Sequence, residues 1–337
     1  MPAEGAPQDR VWMAFPSAGY SLGDTEEARH QARSTWAAVA HAIAQFEPVT
    51  MLVDPDEMGA AKHYVSQDIE IVEAPLNDAW MRDIGPTFVH ADDGSVAAVD
   101  WEFNGWGAQD WARWDRDAKI GATVAELAGV PVVDSPLVNE GGGSQVDGEG
   151  TVLVTETVQL DPGRNPGLSR ADVEAELART VGAAKVVWLP RGLTRDSQRF
   201  GTRGHVDIVA AITAPGRLLL HTQTADEHPD TLVCKAIRST LEGAYGFEIV
   251  EMPAPTILAD GDGYVDYSYI NHLVVNGGVI ACSFDDPRDA DAAAILAEQY
   301  PGRTVVSVDA RPLFERGGGI HCITQQQPSP INRAERV

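Results

Sequence analysis

Basic residues are scarce in this chain: 25 Lys and Arg stand against 50 Asp and Glu over 337 residues, a formal charge of −25. An envelope this acidic repels phosphate backbones, which argues against nucleic acid as a partner and favours cationic small molecules; solubility alone explains the acidity equally well. Cysteine is also scarce. Cys234, Cys282 and Cys322 are too few and too scattered for a disulfide framework, so a reduced, cytoplasmic chain is expected. There is no run of 18 apolar residues, and the opening MPAEGAPQDRVWMAF has neither a basic n-region nor an h-region. Neither a membrane span nor a secretion signal is expected. HExxH, CxxC, Walker and dinucleotide glycine patterns are missing, which leaves metal and phosphate sites without a motif. No Pro- or Ser-rich linker divides the chain, so a single domain over 1–337 is expected.

The hydrophobic fraction, 44%, is ample for a globular core and excludes global disorder. Strand-like and helix-like segments alternate. Asp24 and Glu27 read as a capping box ahead of Trp36, Val39, Ala40 and Ile43 at helical spacing. Further helices are expected at Lys119–Leu127, Ala171–Val181, Thr231–Tyr245 and Ala290–Tyr300. Strands are expected at Val49–Val53, Ile69–Val72, Ser95–Phe103, Thr151–Val158, Lys185–Leu189, Val206–Ile212, Arg217–Leu220, Phe247–Met252, Leu273–Cys282 and Thr304–Val308. The alternation is that of an α/β fold.

Five polar clusters carry the chemistry: Asn77–Asp83, Asn139–Gly143, Gly204–Asp207, Tyr269–Asn271 and Gly317–Cys322. Marked by Asp83, Glu140, His205, Asn271 and Cys322, they are separated by 57, 65, 66 and 51 residues. Near-equal steps suggest five structural units, each delivering one cluster to a common place.

A free cysteine is usually a small buried hydrophobe, and that reading of Cys322 stands. The glycines before it, Gly319 among them, would instead expose the thiol and let a substrate approach the backbone, and a nearby base would make it a nucleophile. On a strand, His205 and Asp207 would point the same way, as a general acid/base beside a carboxylate or as a satisfied core pair. Asp83 and Glu140, if they converge, need a cation for company, either a metal or a guanidinium, amidine or amine, and a planar guanidinium fits well because it pairs bidentately with carboxylates. Trp80 could cover such a cation's face or simply pack. Asp260, Asp262, Gly263 and Asp266 loosely echo a calcium loop, but Asn271 stands where a closing Glu is needed.

Taken together, Asn77–Pro86, Glu140–Gly142, Val146–Thr151, Gly163–Pro166, Gly204–Asp207 and Gly317–Pro328 resemble, in order, the motifs of the agmatine deiminase and bacterial-type peptidylarginine deiminase family of the guanidino-modifying (pentein) superfamily. The resemblance implies a five-bladed α/β propeller with a central site and neither metal nor organic cofactor. It makes Cys322 the nucleophile, His205 the acid and then base, Glu140 its orienting partner, and Asp83 and Asp207 the holders of the substrate guanidinium. Burial beside the imidazolium and the substrate cation is expected to lower the thiol pKa.

The chain departs from the family where an acidic stretch usually precedes Gly-His-x-Asp. Here Arg191, Arg195, Arg199 and Arg203 fall within fourteen positions, as the solvated face of a short helix or as readers of a substrate carboxylate, with Arg199 and Arg203 the candidates. Ile208 and Gln145 replace a usual Asn and a common His. The expected activity is hydrolytic deimination of agmatine; a carboxylate-bearing guanidine, an amidino transfer and a non-catalytic binding protein are the alternatives. Oligomeric state is left open, a homo-oligomer included.

Overall fold

Strand pairs and crossover helices recur in a fixed order in the computed structural model, which describes residues 1–244 and 246–331. Thr87–His90 runs antiparallel to Val96–Glu102, which runs parallel to Val132–Val138. The pattern repeats in Ser144–Val146, Thr151–Thr155 and Lys185–Leu189, in Ala210–Ala214, Arg217–Thr222 and Glu248–Pro253, and in Leu273–Val275, Gly278–Ser283 and Thr304–Asp309. The remaining sheet has the same order but joins the two ends of the chain. Thr324–Pro328 lies antiparallel to Gln8–Ala14, which is followed in parallel by Val49–Val53 and Glu70–Glu73.

Parallel neighbours need a long crossover, and each unit supplies a helix. The crossovers are Glu26–Ile43, Ile120–Ala128, Arg170–Val181, Asp230–Ala244 and Asp289–Gln299. Arg170–Val181 shows why such a segment is helical. Ser169 and Asp172 close a capping box, Val173, Leu177 and Val181 fall on one buried face, and Gly182 ends the helix at φ 74°. In Glu26–Ile43 the buried stripe of Trp36, Val39, Ala40 and Ile43 joins one cluster with the fully buried strand Val49–Val53. Each buried Val, Leu, Ile or Met side chain among these contributes about 1.5–3 kcal/mol, and Ile43→Ala would cost about 2–5 kcal/mol. No described helix is long and apolar enough to cross a membrane.

Several expected elements need correction. Thr25, not Asp24, caps the first helix, its hydroxyl accepting from Ala28 N–H at 3.1 Å. The strand from Thr151 stops at Thr155, and Glu156–Gln159 is a helical turn. Val206–Ile208 is a 3-10 turn, so the following strand begins only at Ala210. Leu273–Cys282 is a hairpin, folded at Asn276-Gly277 with Gly277 at φ 74°. The arginine-rich stretch forms turns rather than a helix. Tyr245, expected to end a helix, lies outside the described residues.

Candidate active site

Each polar cluster lies immediately before the first strand of a unit. Asp83, Glu140, Asp207, Asn271 and Cys322 all lie within four residues of the strands that start at Thr87, Ser144, Ala210, Leu273 and Thr324. The near-equal sequence spacing therefore has a structural origin: the same point in each repeat carries the polar cluster.

Gly142 locates the convergence. A Cβ there would lie 2.6 Å from His205 Nδ1 and 3.0 Å from both Asp207 Oδ2 and Asp83 Oδ1. His205 Nδ1 is 3.8 Å from Asp83 Oδ1, and its Nε2 is 3.1 Å from Glu140 Oε2. Arg164 donates from Nε to both oxygens of Glu140 at 3.0 Å, an ion pair with no solvent exposure on either side. Cys322 Sγ is 3.4 Å from Asp207 Oδ2 and receives Asn271 Nδ2–H at 3.2 Å. Asp207 Oδ1 and His205 Nδ1 are buried without a hydrogen-bond partner among the described residues.

The electrostatics separate these groups. Burial would lower the His205 pKa, but the charges of Asp83, Glu140 and Asp207 outweigh it and push it to about 9, so the ring is an imidazolium at neutral pH. Burial raises Asp83 to about 6, with Glu140 and Asp207 adding to the rise and His205 opposing it. Glu140 and Asp207 both go down despite burial, Glu140 chiefly through Arg164 and Asp207 chiefly through His321. The thiol of Cys322 goes well above its ordinary value, through burial and then Asp207 and Asp83. The expected lowering is thus not a property of these protein groups alone, and a cation must supply it.

Trp80, Asp83, Trp106, Trp111, Phe200 and Cys322 lie around a hollow of about 10 Å³, the room one water needs. Trp106 donates its indole N–H to Asp83 Oδ2 at 2.9 Å from a left-handed backbone, φ 57°, that a bulky residue rarely adopts. It is stacked on Trp111 at 5.4 Å. Trp80 meets Trp36 edge-on at 5.7 Å while presenting to the hollow. Gly319 directs its backbone N–H to the sulfur, and a Cβ there would lie 2.4 Å from Asn271 Oδ1.

Arg199 and Arg203 do not line the hollow at the sulfur. Arg199, 62% exposed, lies 3.6 Å from Asp110 and over the Phe200 ring. Arg203 is half-buried at φ 76°. The sequence reading gave no role to Arg164, Asn271, Trp106, His321 or Glu4. Arg164, Asn271 and His321 fall inside the motif strings, whereas Trp106 and Glu4 have no local signal.

Similarity to known proteins extends over nearly the whole chain. The Streptomyces coelicolor protein provisionally named an agmatine deiminase is 55% identical over 334 residues, 97% of this chain and 98% of its own. The agmatine deiminase of Pseudomonas putida is 41% identical, covering 99% of this chain and 96% of its own. The solved agmatine deiminase of Enterococcus faecalis superposes with a TM-score of 0.90 at 31% identity, over 98% of this chain and 96% of that one. Residues 1–328 match the Porphyromonas-type peptidyl-arginine deiminase family, and the chain belongs to it.

Proposed function

We propose that this protein hydrolyses agmatine to N-carbamoylputrescine and ammonia through a covalent adduct on Cys322. The observation that carries the reading is the pair of orphaned buried atoms, Asp207 Oδ1 and His205 Nδ1, in the cluster where the other oxygen of Asp207 lies 3.4 Å from the sulfur. A guanidinium held between Asp83 and Asp207 gives Asp207 Oδ1 a donor and brings its central carbon to the thiol.

The charge of the substrate stabilises the thiolate that the empty site disfavours, and the thiol proton passes to solvent as the guanidinium binds. Sulfur attacks the guanidinium carbon, forming the C–S bond. His205, protonated beside Glu140, gives its proton to the departing nitrogen as the C–N bond breaks and ammonia leaves. An amidino-thioether remains on Cys322. Neutral His205 then takes a proton from water, whose oxygen attacks the same carbon. The C–S bond breaks, and the ureido product departs.

A second hollow of about 280 Å³ shares Phe200, Gly201 and Gly317 with the first and is bordered by four carboxylates, Asp196, Asp262, Asp266 and Glu315, against two arginines, Arg195 and Arg199. Asp266 is buried, and its surroundings, burial first, raise its carboxyl to about 7. That border suits the second positive charge of agmatine. The two arginines of this border are already engaged, Arg195 with Asp260 at 2.7 Å and Arg199 with Asp110 at 3.6 Å and over the Phe200 ring. Substrate entry requires the aromatic cover to part, and in that cover the exposed Tyr20 stacks on Phe200 at 4.4 Å.

The five units are read as the blades of a five-bladed propeller within a single domain over 1–337, because each presents its cluster from the same topological position. The reading needs no metal or organic cofactor, takes a cationic guanidino compound as its partner, and places the protein in the cytoplasm. Ammonia and ureido product are measured with agmatine and with arginine, alongside intact mass. Agmatine is expected to be the better substrate, with an adduct on Cys322. Undiminished ammonia release by Cys322→Ala, or a preference for arginine, overturns the reading.

A further inference from the structure

Glu4 lies in the segment before the first strand, far in sequence from every cluster above. Its Oε1 is nevertheless 2.8 Å from His321 Nε2 and accepts from Gln145 Nε2 at 3.1 Å. The other ring nitrogen of His321, Nδ1, is 2.8 Å from Asp207 Oδ2, the oxygen that also lies 3.4 Å from the Cys322 sulfur. Glu4, His321, Asp207 and Cys322 thus form one continuous buried chain of contacts.

An imidazole with a carboxylate at each nitrogen is satisfied only when both nitrogens carry hydrogen. A neutral ring would turn a lone pair toward one of the anions. The groups facing His321 and Glu4 are Asp207, Cys322, the Arg82 guanidinium, the His272 ring and the Tyr300 phenol. Arg82 opposes a charge on His321 and burial does too, yet Glu4 and Asp207 prevail and the ring's pKa is raised. Glu4, against burial, is held down at about 2 chiefly by His321, with Arg82 and His272 helping.

We propose that Glu4 is a positioning residue of this site: it keeps His321 an imidazolium, and that cation keeps Asp207 ionised with Oδ2 engaged and Oδ1 turned to the substrate. The inference rests on the reading of Asp207 as a holder of the guanidinium. It goes beyond that reading by making the segment ahead of the first strand part of the electrostatic machinery.

Glu4→Gln is the test, because the amide oxygen can still accept from His321 and Gln145 and the fold is retained. The variant loses the anion that favours imidazolium, so His321 gives up its proton at lower pH. Above that pH Asp207 Oδ2 loses the cation bonded to it, and only the charges of His205 and Arg82 still favour its ionised form. The expected result is a roughly ten- to hundredfold fall in kcat/KM for agmatine, carried mainly by KM. The alkaline limb of the profile should shift toward acid pH, and Glu4→Asp should return part of it. Histidine ring titration by NMR, with His321 assigned from His321→Gln, gives a readout that does not need turnover, and the His321 pKa should fall in Glu4→Gln. An unmoved His321 titration or an unmoved alkaline limb overturns the proposal. Wild-type protein inactive on every guanidine, with the His321 shift still observed, would instead fault the functional reading.

Discussion

Arg164 places one Nε–H between the two oxygens of Glu140, 3.0 Å from each, while its Nη1 holds Asp161 at 3.0 Å and its Nη2 donates to the Thr202 carbonyl at 2.7 Å. The same Glu140 bears on His205 Nε2 at 3.1 Å, so the guanidinium fixes the anion that holds the imidazole. Removing one partner of a buried pair leaves the other uncompensated, at a cost of about 3–5 kcal/mol. Arg164→Gln is expected to lower stability by that order and to cut kcat by about a hundredfold, as a misplaced general acid does. Chemical denaturation and steady-state kinetics on the same preparation check both.

Gly142 is a question of space. The Cβ of Gly142→Ala would meet His205 Nδ1 at 2.6 Å and press on Asp207 Oδ2 and Asp83 Oδ1 at 3.0 Å each. These side chains must move, and a shift of about 1 Å costs on the order of a hundredfold in rate. The variant should fold, with near-native circular dichroism, and should lose agmatine turnover by that factor or more.

Much of this site was legible because the fold repeats. Five units place their clusters at one topological position, so Asp83, Glu140, His205, Asn271 and Cys322 stand out by spacing before any coordinates are known. What stayed hidden were contacts that carry no local pattern. Glu4 meets a histidine 317 positions away, and Trp106 reaches Asp83 from a backbone that propensities disfavour. His205 and Asp207 were expected to share a strand face; a 3-10 turn brings them together instead, because their burial against the site outweighs the β-branched run after them. The hairpin within Leu273–Cys282 did carry a signal, Asn276-Gly277, masked by apolar residues on both sides.

Asp83 is held ionised at a cost. Its folded-state pKa of about 6 lies above the 3.8 of an unperturbed aspartate, so the folded state favours the protonated form. A carboxyl raised in this way contributes stability below pH 3.8 and loses it as the pH climbs through about 6. At neutral pH the charge opposes folding by roughly 2–3 kcal/mol. Asp83→Asn, which keeps an acceptor for Trp106, should therefore melt a few degrees higher than wild type at pH 7 and be inactive on agmatine. A lower melting temperature at pH 7 would contradict the assignment.

The pH dependence of kcat/KM follows from two groups that must be oppositely charged. Guanidinium capture needs ionised Asp83, so activity should rise as pH passes about 6. Proton donation to the leaving nitrogen needs protonated His205, so activity should fall as pH passes about 9. The profile is a bell whose limbs belong to the coupled site. Trp106 separates the limbs experimentally. Its N–H, 2.9 Å from Asp83 Oδ2, favours the carboxylate, so Trp106→Phe removes a donor from the charged form and leaves the ring bulk in place. The acid limb should move upward by up to about one pH unit, the worth of one such hydrogen bond, while the alkaline limb stays with His205. Initial rates at low agmatine across pH 5 to 10 read both limbs, and an acid limb that moved downward would show that Asp83 is not the group titrating there.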